Sequence, residues 1–172
     1  MSMLPNLSLT GLLVVLVLGS ATCIGSAKRP VDSWAYYYFD GHAFKAGQPA
    51  GNKTFIAVRE NVLPMVATSP AKITAQTLPS DQGAIAGIAY IQSSGGKLAG
   101  QSGFVSSPQT KVQVSSGDKI IAIARTDQQG YFSLPLNAGN YTISCGMAMT
   151  EIQVEKGKTV LVPLRTGKRM VD

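Results

Sequence analysis

From position 83 onward, turn-forming residues return about every eight to twelve positions, with short runs rich in Val, Ile, Thr, Tyr and Phe between them. That spacing suits strands of about five residues and leaves no room for a helix of three turns. Residues 126–143 show it most clearly. Asp127-Gln128-Gln129-Gly130 is a polar turn ending in Gly, where a positive φ costs nothing, and Tyr131-Phe132 open a strand. Pro135 withholds a ladder donor, so this strand is expected at an edge or close to its end. Asn137-Ala138-Gly139-Asn140 is a second turn, and Tyr141-Thr142-Ile143-Ser144 begins the next strand.

Further strands are expected at 84–90, 111–114 and 119–125, with Gly117-Asp118 as a hairpin turn, and then at 150–155 and 159–164 around Gly157. The nearly unbroken apolar run Ile120-Ile121-Ala122-Ile123-Ala124 predicts a central strand covered on both faces. Tyr141, just ahead of a core strand, is placed for a tyrosine-corner contact.

In order, the pieces Gly83-Ala84-Ile85-Ala86-Gly87-Ile88, Lys111-Val112-Gln113-Val114, Thr126-Asp127-Gln128-Gln129-Gly130-Tyr131-Phe132 and Leu136-Asn137-Ala138-Gly139-Asn140-Tyr141-Thr142-Ile143 resemble the carboxypeptidase regulatory-like modules. These are also described as transthyretin-like or prealbumin-like β-sandwiches. The resemblance covers about half the chain, from Gly83 to Leu164. It departs from the family in Tyr131 beside Phe132 and in a Gly/Ser-rich insertion at 93–107. It implies an all-β fold, an antiparallel β-sandwich of about seven strands, with protein or glycan contacts and no cofactor. A ring-opening hydrolase family shares such folds, but its histidine-rich motifs are missing, so that activity is not carried over.

Residues 1–27 hold the apolar run Leu12-Leu13-Val14-Val15-Leu16-Val17-Leu18, too short to span a bilayer, and then the small residues Gly25-Ser26-Ala27. This reads as a secretory signal cut after Ala27, leaving no transmembrane helix. A rival reading makes Cys23 a lipidated cysteine. Against it, Ser20-Ala21-Thr22 lacks the large apolar first residue and the Gly or Ala expected before such a cysteine. All fifteen basic and nine acidic residues follow Ala27, so the exported part keeps a net charge of +6. The charges are scattered, which favours a solvated surface or attraction to acidic envelope polymers over a nucleic-acid groove. With Cys23 removed or lipidated, Cys145 has no intrachain partner, and its place on an apolar strand predicts a buried small side chain.

Six of the twelve aromatic residues lie between Trp34 and Phe44. At a period of two, Trp34, Tyr36 and Tyr38 share one face of a strand, and Ala35, Tyr37 and Phe39 the other. Residues 54–58 form a second strand able to pair with the first as an N-terminal aromatic β-hairpin, and 62–66 continue it. The face of Trp34, Tyr36 and Tyr38 is the candidate contact surface, for stacking sugar rings or for another subunit, including by β-augmentation. Packing of that face against the sandwich is the plainer alternative, because a short hairpin is not stable alone. The expected organisation is thus a signal at 1–27, an aromatic β segment and linker at 28–80, and the sandwich at 81–172.

Catalytic patterns such as G-x-S-x-G, H-E-x-x-H, C-x-x-C and a Walker loop are absent from the sequence. Asp40-Gly41-His42 falls short of a metal site, with one histidine and one nearby carboxylate, and a surface turn explains it. The expectation is an exported, non-enzymatic binding or structural module at the cell envelope: periplasmic, outer-membrane-associated or extracellular. Its partner would be an envelope or extracellular protein or glycan, with a homo-oligomer as one form of assembly.

Overall fold

The computed structural model describes residues 33–95 and 103–171. The expectations for the signal at 1–27 and for Cys23 lie outside these residues. Twelve strands are described and the only helical element among them is a 3-10 turn at Pro70–Lys72. They form three four-stranded sheets.

The middle sheet is organised by β5 (Gln82–Gly95), which pairs with β9 (Tyr131–Asn137) over its first half and with β6 (Gly103–Ser106) over its second. Its other edge pairs along its length with the final strand, β12 (Thr159–Val171), in parallel. The second sheet has the order β11-β10-β7-β8, built from β7 (Lys111–Ser116), β8 (Lys119–Arg125), β10 (Gly139–Cys145) and β11 (Ala148–Val154), antiparallel throughout. Between these two sheets lies the larger core, with Ile85, Val112, Val114, Phe132, Leu136, Ile143, Val154, Val162 and Leu164 buried together. Fully burying one Val, Leu or Ile side chain is worth about 1.5–3 kcal/mol, so this contact is the main source of cohesion. The fold is the expected all-β sandwich. It has one parallel pair, and β6 arises inside the Gly/Ser-rich insertion.

The third sheet, in the order β2-β1-β3-β4, comprises β1 (Ala35–Phe39), β2 (Phe44–Ala46), β3 (Phe55–Val58) and β4 (Met65–Ala67). It covers the other face of the middle sheet: Phe39 and Ile56 bury themselves against Ala86, Ile88, Tyr90 and Tyr131. Hydrogen bonds from the Asn61 N–H to the Gly157 carbonyl (2.8 Å) and from the Ser133 hydroxyl to the Pro64 carbonyl (2.9 Å) fasten the layers. β5 is thus the strand covered on both faces, which explains its run Ala84-Ile85-Ala86-Gly87-Ile88-Ala89. Close packing there also demands Gly87. A methyl group in its place would collide with the Val162 carbonyl and approach the Phe132 ring to 2.7 Å.

Two sequence expectations are corrected here. β8 is not a central strand: it lies at the end of its sheet, and Ile120, Ile121 and Ile123 are exposed. An apolar run of this length does not say which of two such runs in a chain takes the middle position. The aromatic β1 does pair with residues 54–58 as expected, but it keeps no free edge for β-augmentation. It pairs with β2 through Tyr37, Tyr38 and Phe39 and with β3 through Ala35, Tyr36 and Tyr37, so its ladder groups are committed on both sides. The N-terminal segment is accordingly a sheet rather than a hairpin, because Asp40 turns the chain back into β2 before β3 joins the opposite edge.

Candidate functional site

The turn after β8 is built by its own side chains. Asp127 Oδ1 accepts hydrogen bonds from the backbone N–H of Gln129 and of Tyr131, both at 2.8 Å, and the Asp127 N–H donates to the Tyr131 carbonyl at 2.7 Å. Gly130 completes the reversal at φ +80. The buried Thr126 hydroxyl donates to the Ser107 carbonyl (2.7 Å) and accepts from the Thr110 N–H (2.9 Å), tying the turn to the chain that leaves β6. In consequence Gln128 and Gln129 are exposed at a fixed place beside the outer sheet.

Across from them an aromatic cluster holds Phe104. Its ring meets Phe39 edge-on at 4.9 Å and Tyr90 at 6.2 Å, and Phe39 lies 4.6 Å from Tyr90. Between this cluster, the turn and the chain entering β3 runs an open groove of about 730 Å³. Tyr38, Phe39, Phe104 and Tyr131 form its aromatic wall, and Asp40, Asn52, Lys53, Gln128 and Gln129 bring polar groups to it. The size is within the range of small-ligand sites.

The polar groups are defined electrostatically. Asp40 Oδ1 accepts from the N–H groups of Ala43 and His42, both at 2.8 Å. These two bonds, the Ala43 one first, hold its carboxyl below the usual carboxylate range, and Lys45 at 3.6 Å adds to the effect. Asp40 is therefore an acceptor at neutral pH, and the Asp40-Gly41-His42 segment is a closed surface turn. Burial pushes the Tyr131 phenol up to about 12, with the Asp127 charge acting in the same direction, so it remains a donor. Its oxygen is 3.5 Å from the Thr54 carbonyl. Among the described residues no group of three or more His, Cys, Asp or Glu side chains is placed to hold a metal ion.

Trp34, Tyr36 and Tyr38 do share a face, and the structure places that face away from the middle sheet. There they pack half-buried, as Ile73 does, on Phe55, Ala57 and Ala67. The face that docks on the sandwich is the opposite one, through Phe39. The Arg59 guanidinium lies over the Trp34 ring at 5.7 Å, and Tyr36 meets Phe55 edge-on at 5.4 Å. All three rings are thus engaged within the protein, and of the three only Tyr38 also lines the groove. Phe104, Gln128 and Gln129 are not singled out by the sequence, where they read as insertion or turn residues, and Asn52 stands out there only as a turn residue opening the glycosylation sequon Asn52-Lys53-Thr54. The signal that could have found Gln128 and Gln129 is the polar Asp127-to-Gly130 turn, whose hydrogen bonds fix its residues in place. Cys145 is buried as expected, and loss of solvent raises its thiol pKa.

No family model matches the chain, and no curated protein matches it. Among solved structures it is similar to GBS52, the minor pilin of the Gram-positive pathogen Streptococcus agalactiae, at 15% identity and a TM-score of 0.38. That match covers 73% of this chain and 64% of the pilin, so the chain spans less than two thirds of its neighbour's length. Among the described residues no helix is long and apolar enough to cross a membrane.

Proposed function

We propose that the chain is an exported, non-enzymatic binding module of the cell envelope that takes a glycan in the groove beside Tyr38. It would be a module of the carboxypeptidase regulatory-like kind at 81–172, preceded by a signal at 1–27 and the aromatic segment at 28–80. The observation that carries the reading is the composition of the groove. Aromatic rings at Tyr38 and Phe104 line it together with the amides of Asn52, Gln128 and Gln129 and the ionised Asp40. Sugar rings present C–H faces that stack on aromatic side chains, and hydroxyls that both donate and accept. Amides and a carboxylate meet them without the single-sign charge that phosphate would require. The net charge of +6 would draw the module toward acidic envelope polymers.

The test is isothermal titration of the full chain with a panel of soluble neutral, N-acetylated and uronic-acid oligosaccharides. Binding is expected in the range of about 1 mM to 1 μM for at least one class. Tyr38→Ala and Gln129→Ala should each weaken it at least roughly tenfold, about 1.4 kcal/mol, while Trp34→Ala leaves it unchanged. If every sugar gives no heat, or if binding survives Tyr38→Ala, the reading fails.

A role as subunit of a surface assembly is the alternative. Since β1 is paired on both edges, that role would fall to another edge of the fold.

A further inference from the structure

The order β11-β10-β7-β8 leaves β8 and β11 with one ladder neighbour each among the described residues. Both are seven residues long. Each successive pair across this sheet is antiparallel, so β11 and β8 run in opposite directions. A copy of the chain translated along the sheet therefore presents its β11 antiparallel to the β8 of the first copy, and the ladder continues without rotation.

The two edges differ in charge. Arg125, on β8, stands directly opposite Lys111 of β7, and its guanidinium reaches the Gln109 carbonyl at 3.2 Å. Two cations opposed across a ladder repel, and an anion arriving from outside would relieve them. Lys119 adds a further cation at the start of β8, next to Asp118 in the preceding turn. On β11 the exposed charge is Glu151. It pairs with Thr142, which pairs with Ser115, and Ser115 is in phase with Lys111, so Glu151 and Arg125 belong to the same outer face. Glu155, just past β11, is already bridged to Lys158.

Both edges also expose large apolar side chains. Ile120, Ile121 and Ile123 are 50%, 42% and 54% exposed along β8, and Met149 is 73% exposed on β11. A register shift between Val114 and Ser115 leaves Ile121 as an extra residue beside Ile120, which accounts for two consecutive exposed isoleucines. From Ala122 to Arg125 the edge is regular and has no proline or inward charge to blunt it.

We propose that β8 of one copy pairs with β11 of the next, with Arg125 opposite Glu151, so that this sheet runs on through successive copies of the chain. In that register Ile123 faces Gln153, and Met149 lies diagonally beside the stem of Arg125. The alternative of two β8 strands pairing antiparallel about Ala122 would set Lys119 against Arg125, so charge selects the β8–β11 junction. A head-to-tail contact of this kind leaves a free edge at each end and grows into a filament, or into a ring where the twist closes it. The inference does not depend on the glycan groove, which involves other residues.

Sedimentation velocity on the full chain over a range of concentrations at low and high salt tests it, with Arg125→Glu, Glu151→Arg and their equimolar mixture alongside. The wild-type mass should rise with concentration and fall with salt. Each single reversal should weaken association at least roughly tenfold. The mixture should regain it, since it offers both the native pair and its reversed counterpart, and that recovery also shows that both variants fold. A wild type that stays monomeric overturns the proposal, as does a mixture that does not recover. So does association that Arg125→Glu leaves unchanged or strengthens while Glu151→Arg has no effect, the result expected for β8–β8 pairing.

Discussion

Tyr131 shows how one side chain carries both fold and site. It is buried against Phe39, Ile56 and Ile88, and it also lines the groove. Desolvation raises its pKa from 10.0 to about 12, because burial penalises the phenolate. The native state thus keeps the proton more tightly than the unfolded chain does. The resulting stability is fully present below pH 10 and is lost as pH rises through about 12. Two pH units correspond to about 2.7 kcal/mol at most. Urea titrations of wild type and Tyr131→Phe at pH 8 and above pH 11 should show the wild type losing more stability, and equal losses would contradict this account. At this scale the sequence was legible where a residue acts on its own neighbours. Asp127 and Gly130 made the expected turn, and Cys145 was buried. Phe104 was not legible, because its partners Phe39 and Tyr90 come from distant strands.

Among the elements, β10 shows a local device that the sequence announced. The Tyr141 hydroxyl donates to the Asn137 carbonyl at 2.9 Å, four residues upstream, and locks the β9–β10 turn in the manner of a tyrosine corner. Tyr141→Phe should cost about 1 kcal/mol in chemical denaturation, the usual net worth of one hydrogen bond, with the fold retained by circular dichroism. An unchanged midpoint would mean that the turn residues alone hold the corner. β8 teaches the opposite lesson. Its run of isoleucines and alanines predicts a doubly covered strand, yet that place belongs to β5, whose small residues Ala84, Ala86, Gly87 and Ala89 let sheets approach from both sides. Apolar content measures what a strand can bury. Its position in the sheet depends on which other strands outcompete it for two neighbours.

For the whole molecule, the outer sheet and the sandwich share the cluster of Phe39, Ile56, Ile88 and Tyr131, so the three layers should unfold together. Phe39→Ala, which removes a ring in contact with Phe44, Tyr90 and Phe104, should cost about 3–5 kcal/mol and lower one cooperative transition. Two separated transitions in calorimetry would show instead that the outer sheet is a dispensable layer. What the sequence by itself determined is local: strands and turns from the spacing of glycines, prolines and alternating apolar residues, the Asp127 and Tyr141 turns, and the two-faced character of β1. Only the tertiary structure decided which face of β1 is inward, that β1 is interior and β8 an edge, and that Tyr38, Gln128 and Gln129 line one groove. The physical reason is that a period of two assigns residues to opposite faces without naming the layer each face meets. Sheet order follows from long-range pairing, in which every strand competes for the same ladder partners.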